Sequence, residues 1–224
     1  MPDVNGKLIV IEGLDGSGKA TQTQLLLDSI PKDISVRQVS FPDYDSDSSA
    51  LVKMYLAGEF GKDPGDVNAY AASAFYAVDR YASYKKDWKT AYENGLILAD
   101  RYTTSNAIHQ CSKLDKPEWD AFLRWLFDFE YDKIGIPEPD AVIYLRVDPG
   151  VSQRLMTERY GGDEKKKDIH EMNREYLRRS REAADYCAAR LGWHTVECSD
   201  DRQMRSITSI HNEILEITRE CLGL

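Results

Sequence analysis

Short apolar runs alternate with longer segments of helical periodicity along most of the chain. Five runs rich in apolar and β-branched residues predict buried strands at 7–12, 34–40, 96–99, 141–147 and 193–197. Apolar residues spaced by three and four predict helices at 21–30, 47–56, 67–94, 117–129, 151–158, 169–191 and 203–221. Strands that alternate with helices in this way predict an α/β fold, a doubly wound parallel sheet with helices on both faces.

The carboxyl ends of parallel strands meet at one edge of such a sheet, where ligands bind in the crevice. We therefore expect the functional residues to follow Glu12, Ser40, Ala99, Val147 and Glu197. Residues 1–224 contain no internal repeat and no low-complexity linker, so we expect a single domain.

A glycine-rich segment joins the first predicted strand to the first predicted helix. Residues 13–19 read GLDGSGK and match GxxxxGK, in the strand–turn–helix context that a phosphate-binding loop requires. Glycines let several backbone N–H groups point at one phosphate, and the helix adds its positive N-terminal dipole. We expect ATP to bind Gly13, Asp15, Gly16, Ser17, Gly18, Lys19, Ala20 and Thr21, with Lys19 at the β- and γ-phosphates.

The residue after the loop lysine departs from the usual pattern. Ala20 stands where a Ser or Thr hydroxyl ordinarily binds Mg²⁺, and Thr21 is rotated by about 100° along the helix. Magnesium must then rest on phosphates, water and carboxylates from elsewhere. Asp15 is a candidate contact to a metal-bound water or a sugar hydroxyl, because a carboxylate beside phosphates needs such a partner.

Several further motifs follow in order. They are the turn Phe41-Pro42-Asp43-Tyr44, the pair Tyr76 and Arg80, the segment Asp100-Arg101-Tyr102 continuing to Ser105, Asn106 and Gln110, and, after a charged segment, Asp168-Ile169-His170-Glu171. With the phosphate loop, these motifs make nearly the whole chain resemble the thymidylate kinases. The resemblance implies a P-loop kinase fold with about five parallel strands, a homodimer, ATP and Mg²⁺, and dTMP as the acceptor of the γ-phosphoryl group.

The same resemblance implies individual roles. Tyr76 would stack on thymine, where the family usually has Phe, and Arg80 would hydrogen-bond the base with Asn106 near it. Arg101 and Tyr44 would bind the acceptor phosphate. The other implied acceptor contacts are Asp15, Phe41, Pro42, Ser105, His109, Gln110 and His170, and the implied metal ligands are Asp15, Asp100 and Glu171.

The spacing of two of these residues supports their implied roles. Tyr76 and Arg80 are four residues apart and share one face of a predicted helix. An aromatic ring and an arginine suit a flat base with carbonyl acceptors. The neighbouring stripe that includes Tyr70, Tyr81 and Trp88 predicts core or a subunit interface.

Three positions differ from the family pattern. Many members have Arg where Tyr44 stands, so charge at the acceptor phosphate must come from Arg101 and others. His109 and His170 occupy places where the family tends to have aromatic rings near the sugar 2′ carbon. A smaller, polar ring would admit a hydroxyl there.

The chemistry implied by the resemblance requires no general base. A phosphate monoester has a second pKa near 6 and is already an anionic nucleophile at neutral pH. Catalysis then depends on positioning two polyanions and neutralising their charge. Lys19, Arg101, Mg²⁺ near Asp100 and the loop amides would do this.

A charged segment supplies more cations. Lys165 to Lys167 lie beside the glycine pair 161–162, and the stretch of roughly 154–170 predicts a mobile basic lid over ATP, although the three lysines fit a solvated charged loop better. Within it Arg154 and Arg159 are the favoured phosphate ligands, because a planar guanidinium suits phosphate.

Composition narrows the class of protein. The net charge of −9 argues against a nucleic-acid binder with a broad basic surface. The apolar runs are too short to span a bilayer, and the first residues do not read as a signal peptide. Four scattered cysteines without metal-site spacing suggest reduced thiols. We expect a cytoplasmic enzyme that acts on small-molecule nucleotides, away from nucleic acid and membranes.

Other functions fit parts of the pattern. A P-loop kinase with another acceptor, such as dUMP, UMP or a deoxynucleoside, is the nearest, and a nucleoside kinase would use Glu12 as a base. Ala20 is compatible with a non-catalytic nucleotide-binding regulator. A simple NTPase would have no use for Tyr76 and Arg80.

Overall fold

The computed structural model describes residues 4–159, 174–200 and 202–223, apart from the side chains of Met156, Glu158, Arg159 and Arg174. One sheet contains five parallel strands, namely β1 (Lys7–Glu12), β2 (Val36–Ser40), β3 (Leu96–Asp100), β4 (Ala141–Arg146) and β5 (His194–Glu197). Their spatial order is β2-β3-β1-β4-β5, with β1 at the centre. The predicted doubly wound parallel sheet is confirmed, and its strand positions agree with the prediction to within two residues.

The strand register brings the carboxyl ends of three strands together. Ile11 pairs with Asp100, which in turn pairs with Ser40 on its other side. Glu12 pairs with Tyr144 on the neighbouring strand. The residues that follow Glu12, Ser40 and Asp100 therefore emerge side by side at one edge of the sheet.

Nine α-helices are present in the described part of the chain, besides short 3-10 and π-helical segments. They are α1 (Lys19–Ser29), α2 (Ala50–Leu56), α3 (Ala69–Ser83), α4 (Lys89–Glu93), α5 (Thr103–Cys111), α6 (Trp119–Phe127), α7 (Pro149–Arg159), α8 (Arg174–Leu191) and α9 (Ile207–Leu222). Side-chain caps begin several of them, and α3 and α9 are examples. Asn68 accepts from the Ala71 N–H at the start of α3, and Ser206 accepts from the Ser209 N–H at the start of α9.

Alternate residues of β1 face two separate apolar layers. Ile9 and Ile11 pack in the layer that contains α1 and α9, together with Leu26 and Ile214. Leu8 and Val10 face the opposite layer, which Trp88, Phe41 and Tyr102 fill. Because both faces are covered, the central strands are apolar along their whole length.

Three helix predictions need correction. The helix predicted for 67–94 is two helices, α3 and α4, separated by a π-helical turn at Tyr84–Trp88. The last helix begins at Ile207 and not at 203, because β7 (Gln203–Met204) forms an antiparallel pair with β6 (Ser199–Asp200). Helix α5 was not predicted at all. Its sequence is rich in Thr, Ser and Asn, which have low helix propensity, so tertiary packing decides its conformation.

The predicted aromatic stripe divides into a buried and an exposed part. Trp88 is fully buried, whereas Tyr70, Val78 and Tyr81 keep 43%, 50% and 41% of their surface exposed. The prediction of core or subunit interface is therefore confirmed as core for Trp88, whereas Tyr70 and Tyr81 are not core residues and an interface there stays a prediction. Within the described ranges, none of the helices has the length and apolar character that a bilayer crossing needs.

Candidate active site

A cavity of about 810 Å³ opens at the edge of the sheet where β1, β2 and β3 end. Its volume lies in the upper part of the range for ligand sites. It gathers most of the predicted site residues, namely Asp15, Gly16, Ser17, Gly18, Lys19, Ala20, Thr21, Phe41, Pro42, Tyr44, Tyr76, Arg80, Asp100, Arg101, Ser105, Asn106, His109 and Gln110. Ser40, Leu56, Tyr102 and Leu155 complete the lining.

The phosphate loop has the geometry that its sequence predicts. Gly18 is left-handed, with φ 83°, and directly precedes α1, so the N-terminus of that helix faces the cavity. Gly13 is close-packed, since a Cβ there would lie 2.7 Å from Ser17 Oγ and 3.0 Å from the Leu145 carbonyl oxygen. Ser17 Oγ is buried without a hydrogen-bond partner in the protein, as expected of a group that a phosphate oxygen would satisfy.

Lys19 is folded back onto its own loop. Its Nζ donates to the carbonyl oxygens of Gly13 at 2.8 Å and Leu14 at 3.1 Å. Burial, together with the positive charge of Arg101, lowers the pKa of Lys19 to about 8. The ammonium is therefore still largely charged at pH 7 and would gain from an incoming phosphate.

Arg101 occupies a strained backbone position directly after β3. Its φ is 67°, which is uncommon for a residue other than glycine and recurs at functional sites. Its N–H donates to the Ile11 carbonyl at 3.2 Å, and its Nη2 lies 2.5 Å from Asp15 Oδ1. Burial acts to lower the pKa of Arg101, but the carboxylates of Asp15, Glu12 and Asp100 outweigh it and raise that pKa.

Glu12 is a fully buried carboxylate beneath the phosphate loop. It accepts hydrogen bonds from the Gly13 N–H at 2.9 Å, Thr104 Oγ1 at 2.7 Å and Ser105 Oγ at 2.8 Å. These bonds tie the loop to the first turn of α5. They also occupy the oxygens that a nucleoside kinase would need for a general base, so the position of Glu12 favours a structural role.

Asp100 and Gln110 carry polar atoms that the protein itself does not satisfy. Asp100 Oδ1 is buried without a partner at the cavity wall, next to Lys19 and Arg101. Both amide atoms of Gln110 are likewise buried and unpartnered. Because buried polar groups are nearly always hydrogen-bonded, these atoms point to polar ligands in the cavity.

The base end of the cavity contains Tyr76, Arg80 and Asn106. Tyr76 packs edge to face on the Tyr55 ring, with 6.4 Å between the ring centroids. Arg80 is only 1% exposed, and its Nε and Nη2 bind the carboxylate of Glu130 at 2.7 and 2.6 Å. Arg80 is thus a rigid wall of the site and not a free side chain, which helical spacing with Tyr76 alone did not indicate.

Asp79 holds the loop that carries Phe41, Pro42 and Tyr44. Its carboxylate accepts from the Asp43 N–H at 2.8 Å and from Ser48 Oγ at 2.6 Å. Burial raises the pKa of Asp79. Because Asp79 directly precedes Arg80, the turn after β2 and the base end of the cavity are positioned by the same segment of α3.

His109 is half-buried beside Arg101. Its Nε2 lies 3.4 Å from Arg101 Nη1, and its Nδ1 lies 3.3 Å from the hydroxyl of Tyr176 on α8. Burial and the positive charge of Arg101 lower the pKa of His109 to about 3. The imidazole is therefore neutral throughout the physiological range and contributes shape and hydrogen bonds to the site.

Five predicted residues are not among those that line the cavity. Gly13 begins the phosphate loop but is not part of the cavity lining. Arg154 is exposed, and its Nη2 lies 3.4 Å from the Arg202 carbonyl oxygen. Arg159 ends α7, and its side chain is outside the described part of the structure, as are His170, Glu171 and most of the predicted lid. Their roles stay predictions.

The sequence did not point to Glu130 or Asp79 as functional residues. It suggested Glu12 only as the general base of a nucleoside kinase. A buried arginine requires a buried carboxylate nearby, which is a signal that Arg80 has a partner. It does not identify the partner, because Glu130 is 50 residues away in the chain.

Comparisons with known proteins identify the family of this chain. A family model described as "Thymidylate kinase" matches residues 11–214. The thymidylate kinase of Schizosaccharomyces pombe is 28% identical over 214 residues, which cover 95% of this chain and 91% of that protein. That of Mycobacterium tuberculosis is 30% identical over 157 residues, which cover 69% and 71% of the two chains.

Two solved structures of thymidylate kinases have a fold similar to that of this chain. Thymidylate kinase from Candida albicans superposes with a TM-score of 0.69 at 20% identity, covering 97% of this chain and 93% of that one. The enzyme from Ehrlichia chaffeensis gives 0.66 at 18% identity, covering 96% and 99%. The family match extends over nearly the whole sequence and includes the phosphate loop and the segment after β3. The chain therefore belongs to the thymidylate kinase family.

Proposed function

We propose that this member of the thymidylate kinase family transfers the γ-phosphoryl group of ATP to dTMP in the cavity at the end of the sheet. The observation that carries the assignment is that one cavity is lined by the phosphate loop with Lys19, by Tyr76 and Arg80, and by Arg101. Two nucleotides would meet there with their phosphates near Lys19 and Arg101.

The donor end would use the phosphate loop. Loop amides, the N-terminus of α1 and Lys19 would bind the β- and γ-phosphates of ATP, which explains the unsatisfied hydroxyl of Ser17. Lys19 would exchange the carbonyls of Gly13 and Leu14 for phosphate oxygens. Arg154 and Arg159 stay candidates for further phosphate contacts.

The acceptor end would use the turn after β2, α3 and α5. Tyr76 would lie against the base, Arg80, Asn106 and Gln110 would meet its polar edge, and Arg101 would bind the monophosphate. Phe41, Pro42, Tyr44, Ser105 and His109 would enclose the sugar and phosphate, since they line the space between. The acceptor phosphate is itself the nucleophile, so no side chain needs to accept a proton.

Magnesium fits the carboxylates at this edge. In residues 4–159, 174–200 and 202–223, no three His, Cys, Asp or Glu side chains gather into a complete metal site. The unpartnered Oδ1 of Asp100, with Asp15 nearby, suits an ion that is otherwise held by phosphates and water. When bound, Mg²⁺ would neutralise phosphate charge and orient the transferred group. Glu171 stays a further candidate ligand.

A homodimer is the assembly we propose, on family resemblance and on one exposed apolar face. Tyr70, Val78 and Tyr81 recur at steps of eight and three residues, on a single face of α3, and each is more than 40% exposed. We also propose a cytoplasmic setting, which fits the absence of any disulfide among the four cysteines.

The proposed reaction is tested by ADP release with ATP–Mg²⁺ and each of dTMP, dUMP, UMP, thymidine and no acceptor. We expect dTMP to be the best acceptor. Lys19→Ala and Arg101→Ala should each lower the rate by at least about 10²-fold, because each removes charge that meets the transferred phosphoryl group. Arg37→Ala, which removes an exposed arginine paired with Asp87, serves as the control and should keep full activity.

Each rival function has a distinct result in this assay. ADP release that does not depend on acceptor would indicate an NTPase, and ATP binding without turnover would indicate a regulator. Preference for thymidine would indicate a nucleoside kinase. Near-native turnover in Arg101→Ala would contradict the assignment of the acceptor phosphate site.

A further inference from the structure

Glu130 is a buried carboxylate behind the base end of the cavity. It lies on the π-helical turn Asp128–Ile134, has no exposed surface, and is not one of the cavity-lining residues. It accepts hydrogen bonds from Arg80 Nε at 2.7 Å, Arg80 Nη2 at 2.6 Å, Thr103 Oγ1 at 2.9 Å and Asn106 Nδ2 at 3.2 Å. One carboxylate thus joins two of the residues assigned to the base.

The bidentate pair with Glu130 fixes which edge of Arg80 faces the cavity. Nε and Nη2 point to the carboxylate, and Nη1 lies 3.4 Å from the Tyr102 carbonyl oxygen. Nη1 carries two hydrogens, so one of them can serve a ligand. An arginine has no acceptor atom, and this wall of the cavity therefore offers a donor.

Glu130 and the Ser73 carbonyl together decide how the amide of Asn106 is turned. Nδ2 donates to Glu130 Oε1 at 3.2 Å and to the Ser73 carbonyl oxygen at 3.3 Å. An ionised carboxylate and a carbonyl only accept, so the NH₂ group must face them. The group of Asn106 left to serve a ligand is its acceptor, Oδ1.

We propose that Glu130 is a positioning residue that supports base specificity by holding the Arg80 donor in one place and by helping to turn Asn106 so that it offers an acceptor. This inference rests on the proposed function, in which both side chains meet the base. The imide edge of thymine or uracil has a carbonyl acceptor beside an N–H donor and matches that order. Cytosine has an amino donor beside an unprotonated ring nitrogen, the reverse order, and would be rejected on both contacts.

The negative charge of Glu130 is essential for positioning Arg80 and Asn106. A glutamine in its place would carry one amide NH₂, which cannot accept from the guanidinium and would face one of its donors. Asn106 would then lose its charged partner and be held in its orientation by the Ser73 carbonyl oxygen, so its Oδ1 would be presented to the base less firmly. Loss of the charge should therefore weaken acceptor binding and reduce the preference for an imide base, while the ATP end is unaffected.

The test measures kcat and KM for dTMP and dCMP in wild type and in Glu130→Gln, at saturating ATP–Mg²⁺. We expect the KM for dTMP to rise by about 10- to 100-fold, the range for lost hydrogen bonds to charged groups. The ratio of kcat/KM for dTMP to that for dCMP should fall by at least about tenfold, and the KM for ATP should stay within about twofold.

Two further variants separate positioning from general damage. Asp128→Asn removes a carboxylate from the same turn, where it forms an exposed ion pair with Lys133, and should leave both quantities unchanged. Thr103→Val keeps the charge and similar shape but removes one donor to Glu130, and should shift the ratio in the same direction by a few-fold. Thr103→Val keeps the inference testable if Glu130→Gln does not fold.

A mutant cycle with Arg80→Met shows whether Glu130 acts through Arg80. If it does, Glu130→Gln should raise the KM for dTMP by a smaller factor in the Arg80→Met background than in wild type, and what remains is the part that acts through Asn106. An unchanged dTMP-to-dCMP ratio in both folded Glu130→Gln and Thr103→Val would overturn the inference while leaving the proposed function intact. If the wild-type protein does not turn over dTMP, or if Arg80→Met keeps the native KM for dTMP, the assignment of these residues to the base fails. The inference then fails with it.

Discussion

Arg101 and Asp15 form an ion pair across the mouth of the cavity, with 2.5 Å between Arg101 Nη2 and Asp15 Oδ1. The side chains are 19% and 25% exposed, so water screens the pair only in part. The pair links the strained residue after β3 to the phosphate loop. It therefore connects the group assigned to the acceptor phosphate with the loop assigned to ATP.

Asp15→Asn should lower kcat/KM for dTMP by about 10- to 100-fold, because Arg101 loses the charged partner that orients it. The loss should include a higher KM for dTMP, measured in steady state at saturating ATP–Mg²⁺. Asp140→Asn is the matched control, since it breaks the comparably buried ion pair with Lys7 at the opposite end of β1. An unchanged KM for dTMP in Asp15→Asn would show that Arg101 does not depend on this pair.

ATP binding should weaken at alkaline pH because of Lys19. With its pKa lowered to about 8 in the ligand-free protein, Lys19 is charged below pH 8 and loses its charge as the pH rises through that value. If only the charged form binds, the Kd for ATP should rise by about tenfold per pH unit well above pH 8. Calorimetric titration between pH 7 and 10 measures this.

Lys19→Arg provides the control for that experiment, because a guanidinium stays charged over the whole range. Its Kd for ATP, even if weaker at pH 7, should be nearly independent of pH. A wild-type affinity that is flat to pH 10 would contradict the assignment of Lys19 to the phosphates.

His109→Phe should increase discrimination against a 2′-hydroxyl. A neutral imidazole can hydrogen-bond a hydroxyl, whereas a phenyl ring is larger and has no such group, so UMP should lose more than dUMP. We expect the ratio of kcat/KM for dUMP to that for UMP to rise by about tenfold, the scale of one lost hydrogen bond. His194→Phe, at an exposed position on β5, should leave the ratio unchanged. A constant ratio in His109→Phe would remove His109 from the sugar contacts.

Val78→Asp should separate the proposed dimer into monomers. Val78 is 50% exposed at the centre of the apolar face that Tyr70 and Tyr81 extend, and burying a charge in such an interface is unfavourable. Sedimentation at micromolar concentration measures the change. Ile207→Asp, at a 57% exposed position at the start of α9, should leave the mass unchanged. A wild-type monomer would contradict the homodimer.

Local sequence patterns were sufficient to predict the sheet, the phosphate loop and the edge of the sheet at which ligands bind. Strands such as β1 and β3 are continuous apolar runs, and the GLDGSGK segment has its meaning in seven consecutive residues. The exact ends of elements were less predictable. Gln203 was read as helical because periodicity along the chain does not indicate its strand pairing with Asp200.

Helix α5 shows where local reasoning stops. It carries Ser105, Asn106, His109 and Gln110, and these residues were identified by family resemblance although the helix itself was not predicted. A run of Thr, Ser and Asn has little helical preference in isolation, so burial against α3, α6 and α8 determines its conformation. The site residues were therefore known before the element that positions them.

The sequence by itself determined the fold class, the loop that binds phosphates and the family to which the chain belongs, because these depend on residues that are close together or follow a fixed order. Only the tertiary structure decided which site side chains are fixed by buried hydrogen bonds and ion pairs. Glu12 with Thr104, and Arg80 with Glu130, are 92 and 50 residues apart. The free energy of burying such charges depends on where the chain brings them together, and no periodicity records that.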